Sequence, residues 1–224
     1  MKITYHGHAF VQIENNRNFV VIDPFITDNP LCKIKPKDVN CNFIVLTHGH
    51  GDHYSDTIEI AKKNDALVIA TFELAEHVSK SGAKVHHMNV GGGYNFPFGR
   101  LKLTLAHHSS SAPDGTYTGE ASGVLLTMNG KTIYHAGDTA LFYDMKLLGE
   151  MNKIDYAFLP IGDNFTMGVD DAVKAAEFIN AATVTPVHYN TFDVIKANPE
   201  NFKKKVESLG IRCNIMNPGD IVEL

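Results

Sequence analysis

The chain has few cysteines and no long apolar run, and each shortage excludes a class of protein. Three cysteines occur among 224 residues. None forms a Cys-x-x-Cys pair, so we expect reduced thiols rather than a disulfide framework or a thiolate zinc site. The N-terminus lacks a signal-peptide run, and no segment approaches the roughly 20 apolar residues that a bilayer requires. These absences predict a cytoplasmic protein with no membrane partner.

Positive charge is also scarce and scattered. Twenty lysines and arginines face 25 acidic residues, which gives a formal net charge of −5 with histidine neutral. A nucleic-acid binder usually carries a basic stripe that displaces counterions, so we expect no nucleic-acid partner. Two common hydrolase signatures, the Gly-x-Ser-x-Gly elbow and the His-Glu-x-x-His helix, are missing as well.

Strand and helix patterns alternate through both halves of the sequence. Apolar or alternating runs predict strands at residues 3–13, 19–22, 42–46, 67–70, 101–106, 124–128, 132–134, 156–160 and 183–187. A polar turn is predicted at residues 14–18, between the first two strands. Helices are predicted at residues 56–63, 72–81, 170–180 and 199–209. Two packed sheets with helices outside bury all these apolar faces, so we expect one α/β domain spanning residues 1–224.

The segment at residues 47–53 carries the strongest chemical signal. Within it, four side chains that can bind a metal follow the strand at 42–46: His48, His50, Asp52 and His53. Open α/β sheets place ligands at such strand ends, and imidazole with carboxylate suits zinc, manganese or iron. The intervening glycines let the loop fold back on itself. The pattern predicts a metal site, and a polar turn that happens to hold three histidines is the alternative.

This His-x-His-x-Asp-His pattern resembles the signature of the metallo-β-lactamase superfamily, and later segments match the other motifs of that superfamily. They are His107-His108-Ser109-Ser110, His135-Ala136-Gly137-Asp138-Thr139 and Val187-His188-Tyr189. The phrases GHAF, DPF, HAGDTALF, IGDNFTMG and PVHYNTF resemble small metal-dependent hydrolases related to ascorbate-6-phosphate lactonases. The resemblance implies a four-layer αββα sandwich of two mixed sheets with helices outside and a dinuclear metal centre between the sheets.

The resemblance also implies a set of ligands for two divalent ions per chain. His48, His50 and His108 would hold the first ion, Asp52, His53 and His188 the second, and Asp138 would bridge both. Ligation by histidine and aspartate without cysteine suits Zn²⁺ or Mn²⁺ foremost, with Fe²⁺ or Ni²⁺ as alternatives.

The function implied is hydrolysis by a hydroxide that the two ions share. Asp52 would orient this nucleophile. Asn164 would donate to a substrate oxygen or simply hold its turn. The expected substrate is a small anionic ester, lactone or phosphate-bearing metabolite. A nuclease or phosphodiesterase of the same superfamily and a non-catalytic metal-binding protein are the alternatives.

Several roles stay open at this point. Asp23 either orients groups of the ligand loop, as the superfamily pattern implies, or is a simple turn residue. His107 is interpreted either as an outer neighbour of the metal centre or as a structural residue, and His6 and His8 either line the pocket or satisfy buried hydrogen bonds. The loop at 109–122 is a mobile lid or a plain surface loop. The sequence leaves the substrate, the native metal and homo-oligomer formation undecided.

Overall fold

The computed structural model describes residues 1–15 and 17–224 and contains two seven-stranded sheets. The first sheet contains β1 (Lys2–Gly7), β2 (Phe10–Glu14), β3 (Phe19–Ile22), β4 (Phe43–Val45), β5 (Leu67–Thr71) and β6 (Lys84–Met88). The second contains β7 (Gly93–Phe96), β8 (Gly99–Leu105), β9 (Ser122–Met128), β10 (Lys131–His135), β11 (Tyr156–Pro160), β12 (Thr183–Val187) and β13 (Arg212–Cys213). The last strand, β14 (Ile221–Glu223), returns to pair with β1 in the first sheet. Asn16, in the turn predicted at 14–18, lies outside the described residues.

The helices lie on the outer faces of this pair of sheets. They are α1 (Gly51–Tyr54), α2 (Thr57–Asn64), α3 (Phe72–Ser79), α4 (Met145–Met151), α5 (Val169–Ile179) and α6 (Pro199–Ser208). Among the described residues, no helix combines the length and the apolar character needed to cross a membrane.

Alternation along the strands explains the four layers. In β3, Val20 and Ile22 join the core between the two sheets, while Val21 packs with the cluster that contains residues of α2 and α3. In β11, Phe158 faces the central core and Leu159 joins the cluster that contains residues of α4, α5 and α6. Strands covered on both faces read as continuous apolar runs. The predicted αββα sandwich is confirmed.

Strand direction brings the candidate residues to one edge. Strands β3 to β6 are mutually parallel, and so are β10 to β13. Strand β1 runs in the same direction as β3 because each is antiparallel to β2. Strand β8 likewise runs with β10 because each is antiparallel to β9. The loops after β1, β3, β4, β8, β10, β11 and β12 therefore lie at the carboxyl ends of their strands.

One predicted strand is wrong. The run at 3–13 is two strands, because the chain reverses between Gly7 (φ 108°) and Phe10, with His8 at φ 57°. Glycine adopts such a left-handed turn without steric cost, whereas residues with a Cβ do so only uncommonly. The alternating apolar pattern continues across the reversal, so periodicity alone did not reveal it.

Candidate metal centre

The first group of candidate ligands consists of His48, His50 and His108. The Nδ1 of His50 lies 3.0 Å from Nε2 of His48 and 3.3 Å from Nε2 of His108. Tetrahedral zinc with bonds of about 2.0–2.1 Å holds neighbouring ligand atoms about 3.3 Å apart. The three ring nitrogens are thus spaced as the ligands of one cation would be. The loops that follow β4 and β8 supply them from opposite sheets.

The second group consists of Asp52, His53 and His188, with His8 beside them. One ligand atom from each of these four side chains lies within 4.8 Å of the others. The Oδ2 of Asp52 is 3.5 Å from Nε2 of His188 and 4.0 Å from Nε2 of His53. The geometry therefore assembles the second predicted set of ligands, and it adds a histidine whose role the sequence left open.

Asp138 lies between the two groups and is only 3 % exposed. Its Oδ1 is 3.3 Å from Nε2 of His53, and its Oδ2 is 3.1 Å from Nε2 of His188. The same Oδ2 is 3.6 Å from Nε2 of His108 and 3.9 Å from Nε2 of His48. One carboxylate thus faces both groups, which is the position that a bridging ligand needs.

Several buried atoms of the centre make no hydrogen bond of acceptable geometry, although two of them lie 3.1 and 3.3 Å from Asp138 oxygens. They are Nε2 of His53, Oδ1 of Asp138 and both ring nitrogens of His188. Buried polar atoms in folded proteins almost always have a partner, because losing water without replacement costs about 1–3 kcal/mol. A divalent cation would supply the missing interaction for these nitrogen and oxygen donors, so the residues present suit a metal.

Asp23 fixes the ring protons of two candidate ligands. Its Oδ1 accepts the backbone N–H of Thr47 at 2.8 Å, and its Oδ2 accepts the Thr47 hydroxyl at 2.6 Å and Nδ1–H of His53 at 2.8 Å. Since the Thr47 proton is committed to Asp23, Nδ1–H of His48 donates to the Thr47 oxygen at 3.0 Å. In their neutral forms, both rings therefore present an unprotonated Nε2 to the centre, as metal ligands do. The structure favours the orienting role of Asp23 over that of a simple turn residue.

The carboxylates also change the proton affinity of the histidines. Burial lowers the pKa of His188, but Asp138 outweighs that effect and raises it to about 9. Burial also lowers the pKa of His53, but three neighbouring carboxylates outweigh burial and raise it well above its usual value. Metal ligation requires neutral imidazole, so protons on these two rings compete with a cation.

A cavity of about 330 Å³ opens onto both groups. Besides candidate ligands, it is lined by Ser109 and Phe165, and Phe165 is 56 % exposed. Asp163 (φ 59°) and Asn164 (φ 40°) hold the strained turn before Phe165. Asn164 is exposed and is not among the lining residues, so its predicted donor role stays a prediction. The sequence reasoning missed Phe165, although the IGDNFTMG phrase contains it.

His107 and His6, whose roles the sequence left open, do not belong to either group. His107 is exposed and packs edge-on against Phe142 at 5.1 Å between ring centroids, which agrees with its interpretation as structural. His6 stacks on Phe10 at 4.4 Å, and its Nε2 lies 3.3 Å from Oε1 of Gln12. Of the two roles left open for His6, the structure therefore supports the hydrogen bond.

The loop at 109–122 is attached to the 47–53 loop. The backbone N–H of Gly49 donates to Oγ of Ser110 at 3.0 Å, and that oxygen lies 2.7 Å from Oγ1 of Thr118. A side chain at Gly49 would collide with Thr118, so the close approach requires glycine there. This contact joins the backbone between His48 and His50 to the segment that follows His108.

Comparison with known proteins gives consistent results over the whole chain. The model of the "Beta-lactamase superfamily domain" matches residues 18–189. A UPF0173 metal-dependent hydrolase of Anoxybacillus flavithermus is 54 % identical over 228 residues, covering 100 % of both chains. The solved structure of Igni18, a metallo hydrolase from Ignicoccus hospitalis, has a TM-score of 0.91 at 36 % identity and covers 99 % of this chain and 97 % of its own. An isothiocyanate hydrolase from Delia radicum gut bacteria shares the fold, with a TM-score of 0.81 at 20 % identity and coverage of 100 % and 99 %.

Proposed function

Because the chain belongs to the β-lactamase superfamily and is a metal-dependent hydrolase, we propose that it is a single-domain, dinuclear enzyme for a small anionic metabolite. The scissile group is an ester, a lactone or a phosphate ester. In this proposal the seven metal ligands are His48, His50, Asp52, His53, His108, Asp138 and His188.

One observation carries the proposal of two ions. Asp138 lies between two separate groups of donor atoms, and its Oδ1, Nε2 of His53 and Nε2 of His188 all lack partners. These unpaired atoms call for an ion in the second group. The ring nitrogens of the first group, 3.0 and 3.3 Å from Nδ1 of His50, are spaced for another ion on the other side of Asp138. Two ions on either side of Asp138 give every one of these atoms a partner.

The donor chemistry guides the choice of metal. All seven proposed ligands offer nitrogen or oxygen, and none of the cysteines belongs to a ligand group among the described residues. Such sets suit Zn²⁺ or Mn²⁺, with Fe²⁺ or Ni²⁺ as alternatives. Two such ions, when bound, supply a water molecule that is acidic enough to be the nucleophile near neutral pH.

The chain's own residues orient the reaction. Asp52 lines the cavity and its side chain is 27 % exposed, so one carboxylate can both face the centre and accept a proton from water. Burial raises the pKa of Asp52, but His53 and the other nearby histidines outweigh it and hold the pKa well below its usual range. Asp52 therefore stays ionised as an acceptor that orients the nucleophile.

The cavity supports a small substrate, since about 330 Å³ is near the lower end of ligand pockets. Two divalent ions, two aspartates and a hydroxide leave the centre with a formal charge of about +1, which favours an anion. Asp170, in the first turn of α5, does not oppose this charge, because it is solvent-exposed, paired with Lys205 and not among the residues that line the cavity. No lysine or arginine lines the cavity within the described part of the chain, so the nuclease alternative gains no support there.

A panel of substrates tests this function. The protein is stripped with a chelator, reloaded with Zn²⁺ or Mn²⁺, and assayed on lactones, carboxylic esters and phosphate esters in charged and neutral pairs. We expect no turnover without metal, recovery on reloading, and higher kcat/KM for the anionic member of each pair. That preference should weaken with salt, because exposed charges are screened within about 8 Å at physiological ionic strength. Equal kcat/KM for matched pairs at all salt concentrations would contradict the proposed substrate charge.

A further inference from the structure

His8 lies in the second group, but both of its ring nitrogens already have partners. Its Nδ1 is 2.8 Å from Oγ1 of Thr191, and its Nε2 is 3.1 Å from Oδ2 of Asp52. By contrast, Nε2 of His53 and both ring nitrogens of His188 are buried without partners. The atoms that lack a partner and suit a cation are therefore those of His53 and His188, whereas His8 lies beside the centre.

The backbone holds His8 in this place at a cost. Residues with a Cβ adopt a positive φ such as the 57° of His8 only uncommonly, because Cβ approaches the neighbouring backbone. The carbonyl of His8 accepts the backbone N–H of His188 at 2.9 Å and the hydroxyl of Tyr5 at 3.2 Å. These contacts tie the turn after β1 to the end of β12, on the other sheet, and fix where the imidazole ring lies.

The hydrogen-bond partners of His8 determine which of its two ring nitrogens carries the proton. His8 is fully buried, and its ring contacts Phe25, Phe192 and His188 at centroid distances of 5.5, 5.6 and 4.0 Å. An ionised carboxylate can only accept, so Nε2 carries the proton that is shared with Asp52. The lone pair of Nδ1 then accepts the Thr191 hydroxyl proton. The hydrogen bonds run from Thr191 to His8 and from His8 to Asp52.

We propose that His8, oriented by Thr191, is a positioning residue that holds one oxygen of Asp52 and so sets the direction of that carboxylate at the second metal and the cavity. This inference rests on the proposed dinuclear function. Asp52 lies on the four-residue helix α1 and is partly exposed, so without the hydrogen bond its side chain is free to turn toward solvent. Outer partners of ligating carboxylates typically contribute about 10- to 100-fold to metal affinity.

Two substitutions of His8 separate the hydrogen bond from the shape of the turn. His8→Gln places an amide N–H near the position of Nε2 and keeps the donor to Asp52. His8→Asn suits the positive φ better, but its shorter side chain reaches no farther than the position of Nδ1. Thr191→Val removes the orienting hydroxyl, and Thr191→Ser keeps it. Neither substitution changes a proposed ligand.

The test is titration of the metal-free proteins with Co²⁺, followed by its visible absorption, with thermal melting as the check of folding. We expect two Co²⁺ per chain in all variants. The second ion should bind about 10- to 100-fold more weakly in His8→Asn and be restored to within about threefold in His8→Gln. Thr191→Val should weaken the second ion, and Thr191→Ser should not.

Three outcomes overturn the role of His8. Wild-type affinity in both His8→Asn and Thr191→Val removes the positioning effect. Loss of the second ion from His8→Gln as well as His8→Asn makes His8 a direct ligand instead. A wild-type protein that binds a single Co²⁺ contradicts the dinuclear function itself, and the inference about His8 falls with it.

Discussion

Replacing Asp23 by asparagine should disable the centre without removing a metal ligand. The backbone of Asp23 has φ 49°, a conformation that asparagine accepts, and the two side chains have nearly the same shape. If the amide oxygen keeps the backbone N–H of Thr47, the amide nitrogen faces the Thr47 hydroxyl and Nδ1 of His53. Asparagine then donates where aspartate accepted. His53 must move its proton to Nε2, the atom that faces Asp138 at 3.3 Å.

The magnitude follows from two separate losses. The wrong ring proton blocks one ligand of the second ion, and loss of such an outer partner costs about 10- to 100-fold in metal affinity, which is about 1.4 to 2.8 kcal/mol. Leaving the buried donors of Thr47 and His53 without their acceptor destabilises the metal-free protein by about 1–3 kcal/mol more.

A matched control separates these effects. Asp56 is also buried, at 6 % exposure, and accepts the backbone N–H groups of Ile26 and Thr27 at 2.7 and 3.0 Å. No histidine donates to Asp56 in the described part of the chain. Asp56→Asn should therefore lower the melting temperature of the metal-free protein but leave metal affinity unchanged.

Competition with a chromophoric chelator measures the metal affinity of Asp23→Asn and of the control Asp56→Asn. We expect the second ion to bind more weakly in Asp23→Asn alone. Wild-type affinity in Asp23→Asn would refute the argument that Asp23 sets the ring protons, and equal weakening in Asp56→Asn would show that the loss comes from general destabilisation.

Three further predictions concern the histidines and the loop at 109–122. His108→Ala should lose the first ion by elemental analysis while His107→Ala keeps it, because only His108 joins the first group; the reverse result would shift the motif by one residue. Metal binding at pH 7 should release protons, because neighbouring carboxylates raise the pKa of His188 to about 9 and the pKa of His53 well above its usual value in the metal-free protein. Affinity should accordingly fall as pH is lowered, and calorimetry that finds no proton release would contradict this. Thr118→Val should weaken the first ion by about tenfold and Thr118→Ser should not, because the Thr118 hydroxyl holds Ser110 Oγ, which accepts the Gly49 N–H of the other ligand-bearing loop; equal affinities would remove that contact from the account.

The centre could be predicted to a large extent because its residues follow strands that are easily recognised. The apolar run at 42–46 ends two positions before His48, and β10 of the Asn129-Gly130 hairpin ends at His135, three positions before Asp138. Within each sheet, parallel strands place their carboxyl ends at one edge, and the packing of the two sheets brings His48 and Asp138 together. Motif resemblance then divided them between two ions, which the distances around Asp138 agree with.

What the sequence did not reveal depends on backbone turns and ring orientation. The position of His8 depends on a reversal after Gly7 that leaves the apolar alternation of β1 and β2 intact. Its hydrogen bond to Thr191 joins residues 183 positions apart, and no local pattern indicates such a pair. Phe165 reaches the cavity because Asp163 and Asn164 both adopt positive φ, and no local pattern in the sequence predicts two consecutive residues in that conformation.

The central claim is that two ions lie on either side of Asp138. The most direct measurement is anomalous scattering from a crystal of the protein loaded with Zn²⁺ or Mn²⁺. We expect two peaks about 3.5–4 Å apart, one within bonding distance of His48, His50 and His108 and the other within bonding distance of Asp52, His53 and His188, with the Asp138 carboxylate touching both. A single peak at full occupancy, or a second peak away from Asp138, would contradict the account.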